Sequence, residues 1–479
     1  MVYVLLVVIV LAASLITGSA AAFFFSLIIL LIGEVFCRNT KSGRPGDARL
    51  VFNITFIVYT LLILIRIFDM AIPDPAFDSL FKTGGDEDGF FEKSQIAAMQ
   101  GSFFDAVPNI TNTLLMNYSA VETVLMCPGY HMYIGLIGYL AEVLFDGNAV
   151  IVQLLGSVLF SCLLSVELFK ILALYVPSKR ARHYAILGAL CTGFVFYGTE
   201  LLRDIHITFF YALMFYIILQ PYSKRNLIRL FIIMLITASF RVGSALFMVL
   251  FILYYLYRKF RKNKGPVLYR KIKSNKVTLI YRKYKHNKVA ILTVVAIVAG
   301  VAAFAALPVL RDSLDRILLF STRTVERITD QENSYLLVLY KLPTPIKELA
   351  VIASTYMTPF TSWNQLEMPS NIFHITHRFM IVIYEFYWFL VVWLTTKWCV
   401  VNKKVKTMPK LMLMLLILAL VYLFISTSDF TVRRTMCMYP LMYLCYVYLK
   451  EHKISRKQFK NDLYLPLAFY GLGFIVFVL

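Results

Sequence analysis

The chain has 479 residues, 59% of them apolar and 16% charged, with a formal net charge of +21 and a mean hydropathy of +0.72. That is too much apolar surface for a water-soluble globule, and it predicts an all-α polytopic membrane protein, residues 1–479 forming a single transmembrane domain. The excess positive charge sits in short loops between apolar runs, so it reads as topology and attraction to anionic membrane lipids; nucleic acid is not the implied partner. Seven cysteines are scattered without zinc-ligand or redox spacing and are expected as free thiols.

Taken in chain order, residues 1–36 are apolar over about 54 Å if helical, too long for one bilayer crossing. They predict either a hairpin turning near Gly18 and Ser19 or one helix with an interfacial piece. No basic segment precedes the apolar run and no small-residue cleavage site follows it, which argues against a removed signal peptide. A basic loop with Arg38, Lys41, Arg44 and Arg49 closes the N-terminal segment 1–49, and a helix follows near 50–68. Further apolar runs lie near 148–175, 184–200, 205–220, 227–241, 242–257, 289–308, 372–396, 409–426, 435–449 and 463–479.

Orientation comes from residues 258–288, which hold thirteen Lys or Arg and neither Asp nor Glu. Such a block is expected in the cytoplasm, together with the clusters around Lys179, Lys224, Lys403 and Lys453. All of these clusters fall on one side only if the apolar stretch 129–145 does not span. The region 69–147 is then the first extracytoplasmic loop, with eleven acids against two bases, and 310–371 is the second. The whole predicts about 12 or 13 transmembrane helices carrying two long extracytoplasmic loops. A flippase or other transporter would favour matched repeats and broken helices near the midplane, and a channel would favour a ring of like residues. Neither pattern is present in the sequence, whereas long loops bearing ionisable groups suit an enzyme at the membrane surface.

A helix ending in Arg66 and Asp69, an acidic Asp86-Glu87-x-x-Phe90 motif, then Ala97, Ala98 and Gly101, Pro128-Gly129-Tyr130 opening an apolar helix, and Phe145 through Asn148 follow in order. Over roughly residues 50–260 this arrangement resembles the GT-C superfamily of membrane glycosyltransferases, which includes protein O-mannosyltransferases, aminoarabinose transferases and related bacterial envelope enzymes. The resemblance implies a bacterial cytoplasmic membrane enzyme with an extracytoplasmic active site. It would move a sugar, with inversion, from a polyprenyl phosphate or pyrophosphate to a glycan or lipid acceptor in cell-envelope synthesis. A polysaccharide polymerase using the same chemistry is a close alternative, and a polysaccharide or lipid flippase is an alternative from a different class.

Such a transfer needs a carboxylate within about 2.6 to 3.2 Å of the acceptor hydroxyl to take its proton. Asp86 matches the first acidic position of the motif and is the expected base, with Asp88 as runner-up and Glu87 completing the triplet. A solvated acidic turn between Gly84-Gly85 and Gly89 is the bland alternative. Crowded carboxylates also make a divalent cation, Mg or Mn, a candidate here, while no dedicated metal-ligand set is readable. The leaving phosphate calls for planar, permanently charged guanidiniums, and Arg203, Arg241, Arg433 and Arg434 all fall at external turns. Each of these could instead snorkel to lipid phosphate or pair with an acid such as Asp204 or Asp429. His131, His206 and Arg378 are further candidates for contact with substrate.

Overall fold

The structure, a computed structural model, describes residues 2–71, 86–100, 128–145, 147, 149–262, 341–343, 346, 347, 350, 372–426 and 435–478. Among these residues the chain is entirely helical. The N-terminal apolar stretch is a hairpin of α1 (Val2–Thr17) and α2 (Ala20–Arg38). Gly18 makes the turn at φ +62°, a conformation that costs a residue without Cβ little, and the Ser19 hydroxyl caps α2 by accepting from the Ala22 amide at 3.2 Å. Helix α3 (Pro45–Met70) starts with Pro at its first position, where the missing amide hydrogen is no loss.

The remaining helices are α4 (Asp86–Gln100), α5 (Pro128–Phe145), α6 (Val150–Leu172), α7 (Ser178–Leu190), α8 (Gly193–Tyr197), α9 (Asp204–Leu219), α10 (Lys224–Phe240), α11 (Val242–Lys262), α12 (Ile372–Thr396), α13 (Lys410–Ser426), α14 (Tyr439–His452) and α15 (Arg456–Val478). Four segments are long and apolar enough to cross a membrane: α2, α3, α6 and Phe379–Val401. Shorter apolar helices cover Val2–Thr17, Asp204–Leu219, Val242–Arg258 and Lys410–Phe424. Large apolar side chains point outward along several of them, among them Leu15, Leu31, Leu61 and Leu420, and along α10 as well, at Ile232 and Leu235. A surface of that kind suits lipid, and the protein is a multi-pass membrane protein.

Helix α6 is the axis of the bundle: residues 151–158 and 161–172 are all buried. Small side chains let its neighbours approach. A Cβ on Gly156 would stand 2.7 Å from Ile137, and Ser161 donates to the carbonyl of Gly198 at 3.2 Å. Between α2 and α3, Gly33 faces Phe52 so closely that a Cβ there would lie 2.2 Å from the ring.

The bundle has two chemically distinct ends. At one end Asp47 accepts from Ser178 at 2.6 Å and pairs with Arg182 at 2.8 Å. There too Glu451 accepts from Tyr184 at 2.6 Å and pairs with Arg180. His452 meets the Tyr175 carbonyl at 2.8 Å, and Ser42 meets Tyr216 at 3.0 Å. This basic end carries the loops rich in Lys and Arg. Helix α3 then rises about 28 Å from Asp47 to Arg66, close to the thickness of a bilayer core. The two ends of α5 meet the corresponding ends of other helices: Gly129 is against Ser239 at the last turn of α10, and Phe145 stacks on Phe24 in the first turns of α2 with ring centroids 4.8 Å apart.

Several boundaries differ from the hydropathy pattern for local reasons. The apolar run near 184–200 is two helices, because Thr192 caps α8 and also donates to the Gly188 carbonyl at 2.6 Å, ending α7. Helix α14 is preceded by a 3-10 turn at Met436–Met438 and admits Pro440 in its first turn. The last helix begins at Arg456, ahead of the apolar run, because Asp462 is buried against Trp398 and Lys397. The predicted run 289–308 lies outside the described residues, as do the basic block beyond Lys262 and nearly all of 310–371.

Candidate functional site

Three acids open α4, where the unpaired amides of the first turn favour negative charge. They lie on a helix, and the middle one is out of solvent. Glu87 is almost fully buried and its Oε2 receives Nη2 of Arg66 at 2.5 Å, with Arg66 itself wholly buried. The partners continue into the segment between α8 and α9. Arg66 Nη1 donates to the Thr199 carbonyl at 2.7 Å, and Glu87 Oε1 accepts from the Leu201 amide at 2.7 Å. A charge pair removed from water holds only when such extra hydrogen bonds satisfy it, and here both ions have them.

Asp88, next on the helix, is only partly buried. Asp86 is the first residue of α4, and its side chain lies outside the described residues. One turn beyond position 86, Phe90 packs edge-on to Tyr130 at 4.9 Å and lies 5.5 Å from the His131 ring. This seats α4 on α5. Position 86 shares the face of Phe90, being four residues earlier, whereas position 88 lies about 160° round the helix from it.

An aromatic layer links α5 to the rest of the bundle. His206, in the first turn of α9, is fully buried. Its ring lies 5.3 Å from Tyr130, 5.1 Å from Tyr133, 4.3 Å from Phe160 and 5.7 Å from Phe240. Two residues earlier, Asp204 pairs with Arg241 at 2.7 Å, tying the start of α9 to the junction of α10 and α11. Arg203, just before α9 and two residues after the amide held by Glu87, is partly exposed.

The sequence candidates Glu87, Asp88, His131, Arg203, His206 and Arg241 therefore gather at one end of the bundle, opposite the basic loops. Arg378 belongs to the first turns of α12, but its side chain lies outside the described residues, as do Arg433 and Arg434 entirely. The pairing of Arg241 with Asp204 is the alternative to phosphate binding that the sequence offered, whereas the partnership of Arg66 with Glu87 was not foreseen. An arginine inside an apolar helix was the available signal for the Arg66 partnership, since such a charge needs a buried partner.

Glu87 is poorly placed to hold a divalent cation. Both oxygens of Glu87 are engaged by Arg66 and Leu201, and among the described residues no group of three His, Cys, Asp or Glu is placed to hold a metal. The six described cysteines are free thiols. Comparison of the chain with protein-family models, with curated proteins and with solved structures found no match.

Proposed function

We propose that this chain is a GT-C-like glycosyltransferase that moves a sugar from a polyprenyl phosphate or pyrophosphate to a hydroxyl acceptor on the outer face of the membrane, in cell-envelope glycan synthesis. The observation that carries the reading is the layer of carboxylates, guanidiniums and imidazoles about one bilayer thickness from the basic loops. Helix α5 supports the same orientation, because its start packs against the last turn of α10 and its end against the first turns of α2.

In this reading a carboxylate at position 86 or 88 takes the proton of the acceptor hydroxyl. The oxygen attacks the anomeric carbon, and the bond from that carbon to the phosphate oxygen breaks with its electron pair leaving on phosphate. Position 86 is favoured as the base because it shares the α4 face that rests on His131 and Tyr130. Arg203 suits the departing phosphate, and Arg241 suits it less, its guanidinium already being paired with a buried carboxylate. Glu87 is the least suited to proton transfer, both of its oxygens already accepting hydrogen bonds.

The test is transfer by purified protein in lipid nanodiscs from a radiolabelled polyprenyl-phosphate sugar to a hydroxyl acceptor. Asp86→Asn is expected to lower the rate on the order of 100-fold to 10,000-fold, and Asp88→Asn to lower it less. A larger loss in Asp88→Asn would move the base to that residue. Wild-type turnover in both folded variants would remove the acidic helix from the chemistry, and movement of intact lipid-linked sugar across the bilayer without transfer would identify a flippase.

A further inference from the structure

Glu87 and Arg66 do more than neutralise each other, because both also grip one short segment of backbone. Arg66 holds the Thr199 carbonyl and Glu87 holds the Leu201 amide, each at 2.7 Å. That segment leads within two residues to Arg203 and within three to Asp204, whose carboxylate holds Arg241 at 2.7 Å. Four elements distant in sequence are joined by this chain of contacts: the end of α3, the start of α4, the approach to α9 and the junction of α10 and α11. On α4 itself two points are fixed, Glu87 against α3 and Phe90 against Tyr130 and His131. Two fixed points nearly one turn apart set the rotation of a helix about its axis, and so determine which neighbours the flanking positions 86 and 88 face.

We infer that the Arg66–Glu87 pair, together with the Thr199 carbonyl and the Leu201 amide, is a positioning clamp that registers the acidic helix against the segment bearing Arg203. Glu87 is then a positioning residue, and proton transfer belongs to its neighbours. The catalytic part of this inference rests on the glycosyl-transfer reading; the mechanical part does not.

Hydrogen exchange read by mass spectrometry on the full chain in nanodiscs separates the two parts. Glu87→Gln keeps the shape but removes the charge, and Arg66→Lys keeps the charge but removes the fork that reaches both Glu87 and Thr199. Amides of residues 88–95 and 199–203 should exchange on the order of 100-fold faster in Glu87→Gln and less so in Arg66→Lys, while α6 stays as protected as in the wild type. Per folded molecule, kcat should fall at least about tenfold with the donor KM within about threefold, since a loss confined to stability would leave both unchanged. Should either single variant fail to fold, Arg66→Met with Glu87→Leu removes both charges at once, leaves no ion buried alone, and should show the same local exchange. Unchanged exchange at 88–95 and 199–203 would overturn the clamp, as would a kcat loss in Glu87→Gln without faster exchange, which would make Glu87 the base. Faster exchange with no sugar transfer even by the wild type would sustain the clamp and refute the glycosyltransferase reading.

Discussion

The ion pair between Asp204 and Arg241 offers a quantitative test, because two roles for Arg241 lead to different energies. Asp204 is 2% exposed and Arg241 18% exposed, with 2.7 Å between the nearest oxygen and nitrogen. Charge centres about 4 Å apart attract by about 4 kcal/mol at an effective dielectric of about 20. The cost of removing both ions from water offsets part of this, leaving a coupling of about 2 kcal/mol. Arg241→Met keeps most of the side-chain volume but leaves the carboxylate buried without that partner, and should cost about 3 kcal/mol. Asp204→Asn should cost about 2 kcal/mol, and the double variant about as much as Arg241→Met alone. The assay is reversible unfolding in mixed micelles titrated with sodium dodecyl sulfate, followed by circular dichroism, on the wild type, both single variants and the double. If the two single losses add within about 0.5 kcal/mol, the pair does not couple. Arg241 would then be available to phosphate, and its present assignment as a brace between α9 and α11 would be refuted.

Other expectations follow from the packing. Gly33→Ala should destabilise by about 1 to 3 kcal/mol through its clash with Phe52, and Phe52→Leu in the same chain should recover part of that loss; equal stability of the wild type and Gly33→Ala would mean that α2 and α3 are not in close contact. Asp462→Ala leaves the buried indole Nε1 of Trp398 without the carboxylate that accepts from it at 2.8 Å, at a cost of about 1 to 3 kcal/mol, with a shift in tryptophan emission that Asp462→Asn should largely prevent. Cysteines introduced at Lys93 and Lys179 should label from opposite faces of the membrane with an impermeant maleimide, and labelling from the same face would refute the orientation argued from the basic loops.

Much of the fold was written in local chemistry. Gly18 followed by Ser19 marks the turn of the first hairpin because one residue accepts the left-handed conformation and the next caps a helix. The limits of α12 coincide with its apolar run. The division of 184–200 was harder to read, since Thr192 interrupts the helix through side-chain hydrogen bonds without changing hydropathy. At the candidate site, the acidic motif was visible as a cluster but the distinction among its members was not. Three adjacent carboxylates look alike in sequence, and what separates Glu87 from its neighbours is a guanidinium 21 residues away and a backbone amide 114 residues away. Partnerships of that span are made by the bundle, so only the buried arginine itself could have announced one of them.

Two of the buried ion pairs, Glu167–Lys170 and Arg66–Glu87, differ in the moment at which each can form. Glu167 and Lys170 sit three residues apart on α6, 3.0 Å from one another, with the ammonium 3.4 Å above the Phe36 ring. Helix α6 can enter the bilayer with this pair already closed, its net charge cancelled before any other helix arrives. Glu87, by contrast, lies on another helix, so Arg66 meets it only after the chain has crossed the membrane and folded α4 back onto the bundle. Until then its guanidinium is close enough to the helix end to reach head groups. Closing the Arg66–Glu87 contact is therefore a late event in assembly, and the acidic helix takes its place only on a bundle whose α3 has already been inserted.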